Sequence, residues 1–123
     1  MTAESAKNLA IIDDDTSVRQ SMTRLLTAAG FLTKSFASGE EFLAASDRRF
    51  DCVILDVRMP GMTGFEVHEA LEAAGTRQPI VFVTADAVPS NHSSNGNKKR
   101  TILKKPFDCA ALIAAINAVM QAA

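Results

Sequence analysis

The sequence contains no tryptophan or tyrosine, and only two cysteines and two histidines among its 123 residues. Two cysteines cannot frame a disulfide-dense secreted scaffold. Cys52 and Cys109 read instead as small core residues, one in a strand and one in a helix. The histidines, His68 and His92, are isolated and lack metal-ligand spacing. No apolar stretch approaches the roughly 20 residues that a membrane span needs. Charge of one sign is also lacking: 13 basic and 14 acidic residues leave a net charge of −1. Nothing in that balance calls for nucleic acid or a membrane surface. Met1–Ser5 show no basic segment followed by an apolar one, so no signal peptide is read and a cytoplasmic location is expected. There is no internal repeat and no dividing linker, so residues 1–123 are expected to form a single domain.

What is present is a set of apolar runs that end on polar groups. Leu9–Ile12 runs into Asp13, Asp14 and Asp15; Cys52–Leu55 into Asp56; Ile80–Val83 into Thr84; Ile102–Leu103 into Lys104, Lys105 and Pro106. Short apolar runs bounded by turn signals read as buried parallel strands. Ligands of open α/β sheets gather outside the carboxyl ends of such strands.

Strands are expected at residues 8–13, 33–36, 51–56, 79–84 and 101–104. Between them, Thr16 or Ser17 is expected to cap a helix whose apolar face is Val18, Met22, Leu25, Leu26 and Ala29, stopped by Gly30. Ser38 with Glu41 reads as a capping box for a helix carrying Phe42, Leu43 and Ala45. A Pro-Gly loop at residues 59–64, with Met59 and Met62 packing around it, precedes a helix with Phe65, Val67, His68 and Leu71 inside. Asp108 caps a last helix bearing Leu112, Ile113, Ile116, Val119 and Met120. Alternating strands and helices argue for an α/β fold, a doubly wound parallel sheet with right-handed crossovers. One segment breaks the rhythm. Residues 88–100 are rich in Ser, Asn and Gly, whose side chains favour turns over helix interiors. The helix expected between strands four and five is therefore read as missing or irregular. The basic run Lys98, Lys99, Arg100, Lys104 and Lys105 carries no interleaved aromatics and no recognition helix, and reads as a solvated loop.

Taken singly, each Asp is a cap or turn residue, Asp15 above all, Lys105 a surface lysine and Thr84 a strand-end residue. Taken together they are a chemical site. Asp13, Asp14 and Asp56 would stand at adjacent strand ends, where three carboxylates repel unless a cation joins them. Hard oxygen ligands in a half-open site suit Mg²⁺. A phosphoryl group would also want the ammonium of Lys105 and the hydroxyl of Thr84. The combination suggests phosphoryl transfer with one carboxylate as nucleophile, for which Asp56 is the candidate.

Four motifs then carry a resemblance: Ile11–Asp15, Val53–Gly64, Val83-Thr84-Ala85 and Lys104-Lys105-Pro106-Phe107. With them the chain resembles the receiver domain of two-component response regulators over nearly its whole length. Ser35–Leu43 and Asp56–Met62 are most similar to the FixJ-like subgroup. The resemblance implies a flavodoxin-like fold with five strands in the order 2-1-3-4-5. It also implies that Asp56 takes phosphate from a phosphohistidine of a sensor histidine kinase or phosphotransfer protein. Asp14 and Asp56 would bind Mg²⁺ directly, with the Arg58 backbone carbonyl as a further ligand and Asp13 acting through water. Lys105 would pair with the phosphoryl oxygens, Thr84 would report phosphate, and Ala85 would leave the site open, with Arg58 and Asp86 flanking it. The peptide before Pro106 would be cis. At the family's aromatic switch position stands Ile102, a departure from the pattern.

The reading is a non-enzymatic signalling switch, acting through a partner or a homodimer formed on the strand 4–5 side, with no direct contact to nucleic acid or membrane. An alternative is a phosphorylation-independent interaction module on the same scaffold. An aspartate-nucleophile phosphatase is disfavoured, because the position two after the nucleophile is Arg58 rather than an acid/base Asp.

Overall fold

A computed structural model describes residues 6–45, 49–85 and 100–122. The chain runs β1 (Asn8–Ile12), α1 (Thr16–Ala28), β2 (Leu32–Phe36), α2 (Gly39–Ala44), β3 (Cys52–Asp56), α3 (Gly64–Ala73), β4 (Ile80–Thr84), β5 (Thr101–Lys104) and α4 (Cys109–Ala122). Every strand pairing is parallel, and the sheet order is β2-β1-β3-β4-β5, as expected. The segment read as a missing or irregular helix, residues 88–100, lies outside the described residues except for Arg100, as does Asp86.

The strand alternation sorts the interior into two cores. Leu9 and Ile11 of β1, Ile54 of β3 and Val81 and Val83 of β4 face α1 and α4, where Met22, Leu26, Leu112 and Ile116 cover them. Ala10, Ile12, Val53, Leu55 and Phe82 point the other way, onto Phe42 of α2 and Val67 and Leu71 of α3. Burial on both faces explains why the central strands read as unbroken apolar runs rather than alternating ones. Each fully buried Leu, Ile or Phe contributes about 1.5–3 kcal/mol. Met59 and Met62 join the second core, where Phe36 and Phe42 meet edge to face at 5.2 Å.

Helix ends follow local chemistry, with some shifts from expectation. Asp15, not Thr16 or Ser17, caps α1: its carboxylate accepts from the backbone N–H of Ser17 and Val18. Its extended backbone (φ −89°, ψ 115°) makes it the last non-helical residue, and its side chain then lies beneath the free N–H groups. Gly30 ends α1 with φ +102°, while Gly30 and Phe31 donate to the carbonyls of Thr27 and Leu26. That paired closure needs a left-handed residue, which glycine supplies without strain. Ser38 caps α2 by accepting from Glu41 N–H, but Glu41 reaches back to the N–H of Ala37 rather than Ser38. The full reciprocal box is at Thr63 and Glu66, opening α3. Asp108 accepts from Ala111 N–H at the start of α4. Cys52 is buried in β3, but Cys109 is exposed. It opens α4 at the carboxyl end of the sheet, one turn before Leu112 reaches the core.

Candidate functional site

Because β1, β3, β4 and β5 are successive neighbours in the sheet, the residues at their carboxyl ends meet along one edge. Asp13 follows β1, Asp56 and Thr84 end β3 and β4, and Lys105 follows β5. One carboxylate oxygen each from Asp13, Asp14 and Asp56 lie within 4.8 Å of one another. Asp13 and Asp56 are buried, whereas Asp14 is exposed.

Asp13 is held at every polar atom. Its N–H donates to the Phe36 carbonyl (3.2 Å), and Oδ1 accepts from the N–H of Asp15 (2.9 Å). Oδ2 accepts from Lys105 Nζ at 3.2 Å, and its carbonyl accepts from Arg19 Nη1 at 2.7 Å. Lys105 Nζ also lies 3.7 Å from Asp56 Oδ1, so a single ammonium is shared by two carboxylates and sits closer to the more deeply buried one. Burial, then the charge of Asp13, pushes the Asp56 carboxyl up to about 6, with Asp14 adding to the rise. Lys105 and the Arg58 backbone N–H pull the other way. Among the described residues, the Lys105 ammonium only partly offsets the repulsion between these carboxylates.

This donor set fits a divalent cation. The ligands are hard carboxylate oxygens converging from two adjacent strand ends, one of them open to solvent. That composition suits Mg²⁺, which keeps several waters and takes only a few protein ligands.

The remaining candidates surround the cluster. Thr84 is 4% exposed, and its carbonyl accepts from Lys105 N–H at 2.7 Å, tying the ends of β4 and β5 together. Ala85 is exposed next to it. Arg58 is exposed in the loop after β3. Ile102 pairs with Phe82 in the β4–β5 register and packs, half-buried, against the second core. The Lys105–Pro106 peptide is cis.

Two further residues shape the site without having stood out in the sequence. Arg19 secures the Asp13 carbonyl from six positions away, a reach that no periodic pattern signals. Gly64, the first residue of α3, lies so close to β3 that a Cβ there would fall 2.5 Å from the Asp56 carbonyl oxygen. Its sequence signal was its place at the end of the 59–64 loop and of the Val53–Gly64 motif, which did not show how closely it approaches Asp56.

The family model for the response regulator receiver domain matches residues 9–117. The chain belongs to this family. The receiver domain is 38% identical over 112 residues to the transcriptional regulatory protein FixJ of Azorhizobium caulinodans, covering 88% of this chain and 52% of that protein. It is 33% identical over 119 residues to the transcriptional regulatory protein TdiR of Thauera aromatica, covering 94% of this chain and 52% of the relative. The receiver thus spans about half the length of these relatives. Among solved structures, it superposes on FixJ-N with a TM-score of 0.84 and 31% identity, over 95% of each chain. The chemotaxis response regulator CheY4 of Vibrio cholerae gives 0.82 and 32%, over 94% of this chain and 99% of that one. The subgroup resemblance and the parallel five-stranded receiver fold are both borne out. No helix among the described residues is long and apolar enough to cross a membrane.

Proposed function

We propose that residues 1–123 act as one cytoplasmic phospho-accepting receiver that takes phosphate from a sensor histidine kinase or phosphotransfer protein onto Asp56, with Mg²⁺ as cofactor. The observation that carries this reading is the convergence of three carboxylate oxygens within 4.8 Å beside the shared Lys105 ammonium. Asp14 and Asp56, with the Arg58 carbonyl, would hold the metal, and Asp13 would act through water. Mg²⁺, when bound, supplies charge neutralisation and orients phosphoryl oxygens. Asp56 offers a carboxylate oxygen as nucleophile, and Lys105 offsets the charge that the acyl phosphate brings. Thr84, at the neighbouring strand end, offers a hydroxyl to the phosphoryl oxygens, and Ala85 keeps the approach open. The domain itself turns over no substrate in this reading. It shifts between two surface states that differ in partner binding or in self-association on the β4–β5 side.

The test is incubation with a small acyl phosphate and Mg²⁺, read by intact mass. Wild type should gain one phosphoryl group, and Asp56→Asn should gain none. Equal labelling of the variant would remove Asp56 as acceptor. Ile102 favours a second reading, a phosphorylation-independent interaction module, because a packed aliphatic side chain offers no aromatic ring to reorient. Partner affinity or oligomeric state unchanged by full labelling would select that reading.

A further inference from the structure

Arg19 occupies a position that the helix dipole alone disfavours. It lies at the end of the first turn of α1, where the helix dipole places partial positive charge, and no acidic residue lies in that turn. The acidic residues Asp13, Asp14 and Asp15 just before the helix offset that cost, and the Arg19 guanidinium reaches back toward them. Nη1 donates to the Asp13 carbonyl at 2.7 Å, and Nη2 to Thr16 Oγ1 at 3.2 Å. The first is the shorter bond and leads directly into the acidic cluster.

The Asp13 carbonyl and the Asp14 N–H belong to a single planar peptide unit. Holding that oxygen fixes the plane, and with it the direction in which the chain enters Asp14. Asp13 is otherwise secured through its own N–H and both carboxylate oxygens, but Asp14 is exposed. The backbone thus sets where the Asp14 carboxylate starts. From the other side, Asp15 pins the same turn to α1 by accepting from Ser17 and Val18. The Asp13–Asp14 peptide is thereby clamped between β1 and the first turn of α1.

We infer that Arg19 is a positioning residue for metal binding: through the Asp13 carbonyl it fixes the Asp13–Asp14 peptide and so presents the Asp14 carboxylate to the cation. The inference rests on the proposed Mg²⁺ site, and Arg19 itself touches neither metal nor phosphate.

The experiment is a Mg²⁺ titration of the full chain by calorimetry, alongside the Mg²⁺ dependence of labelling by a small acyl phosphate. Arg19→Ala should bind Mg²⁺ about tenfold more weakly, the scale typical of outer residues that orient a ligand. Its labelling rate at saturating Mg²⁺ should stay within about twofold of wild type, since such a residue orients ligands without joining the chemistry. Arg19→Lys, which keeps one donor within reach of the carbonyl, should recover most of the affinity. In metal-free protein, the Asp14 amide should exchange faster in Arg19→Ala than in wild type. If Arg19→Ala fails to fold, Arg19→Met retains the side-chain stem and should show the same loss of affinity. Affinity within about twofold of wild type in the folded variant would overturn the role, given the larger effect expected of an orienting residue. Absence of Mg²⁺ binding by wild type would instead overturn the proposed site.

Discussion

Replacing Asp56 with Asn should stabilise the metal-free protein at neutral pH. The carboxyl is 5% exposed and shares one ammonium with Asp13, and its pKa rises from the ordinary 3.8 to about 6. Desolvation is the largest cause, followed by repulsion from Asp13, and the attraction of Lys105 does not cancel them. A rise of that size corresponds to about 3 kcal/mol of destabilisation of the fully ionised folded state. The sign follows from proton binding. A carboxyl whose folded pKa lies above its unfolded value favours the folded state while protonated. That advantage is complete below about pH 3.8 and is lost as pH rises through about 6. Asn keeps the shape and has no charge to lose. The stability gap between Asp56→Asn and wild type should therefore be small near pH 4, open between pH 4 and 6, and level off above about pH 7, at about 2–3 kcal/mol. Urea denaturation in chelator across this range measures it, as a midpoint shift of roughly 1–2 M at an ordinary m-value. Added Mg²⁺ should reverse the order, because a ligand that binds only the folded wild-type site stabilises by mass action. A gap that does not change with pH, or an Asn variant less stable at pH 7.5, would refute the reasoning.

Other perturbations test neighbouring parts of the site. Gly64→Ala would drive a Cβ against the Asp56 carbonyl, which is backbone and cannot turn aside; denaturation should show a loss of about 1–3 kcal/mol, and Mg²⁺ titration a weakened site. Lys105→Met leaves the buried Asp13 Oδ2 without its cationic donor; the metal-free protein should lose about 1–3 kcal/mol in urea, and Mg²⁺ should restore part of it. Asp15→Ala removes the acceptor for two N–H groups of α1; a loss of about 0.5–2 kcal/mol is expected by thermal denaturation.

The strands were legible because β1, β3 and β4 are buried on both faces, which leaves continuous apolar runs with a polar stop. Those stops fall at the same edge because the pairing is parallel throughout, and the candidate site was readable for that reason. What could not be read was decided by three-dimensional reach. Three polar residues in a row, Asp15, Thr16 and Ser17, offered three caps, and only the extended backbone of Asp15 selects it. Glu41 sits at the box spacing from Ser38 yet bonds to Ala37, a difference of one residue that spacing cannot resolve. Thr63 and Glu66 show the same box spacing, but Thr63 lay near the end of a stretch read as a loop. Arg19 carried no signal, because the carbonyl it holds lies before the helix rather than on its periodic face. Cys109 has helical spacing to Leu112 but lies beyond the part of the sheet that α4 covers.

The division of the interior has a consequence for how a change at the site would propagate. Val81 and Val83 point into the core shared by α1 and α4, whereas Phe82, and by alternation Thr84, belong to the side of α2 and α3. The consequence expected of a Thr84 side-chain movement is therefore a disturbance felt first on the α2–α3 side of the sheet. Phe65 of α3 packs against Phe82 with the rings tilted by 57° and centroids 4.9 Å apart, and the Arg100 guanidinium lies 4.4 Å from the Phe65 ring centroid. Thr84 is thereby placed on the side of the sheet that α3 and the approach to β5 cover, and away from the α1–α4 side.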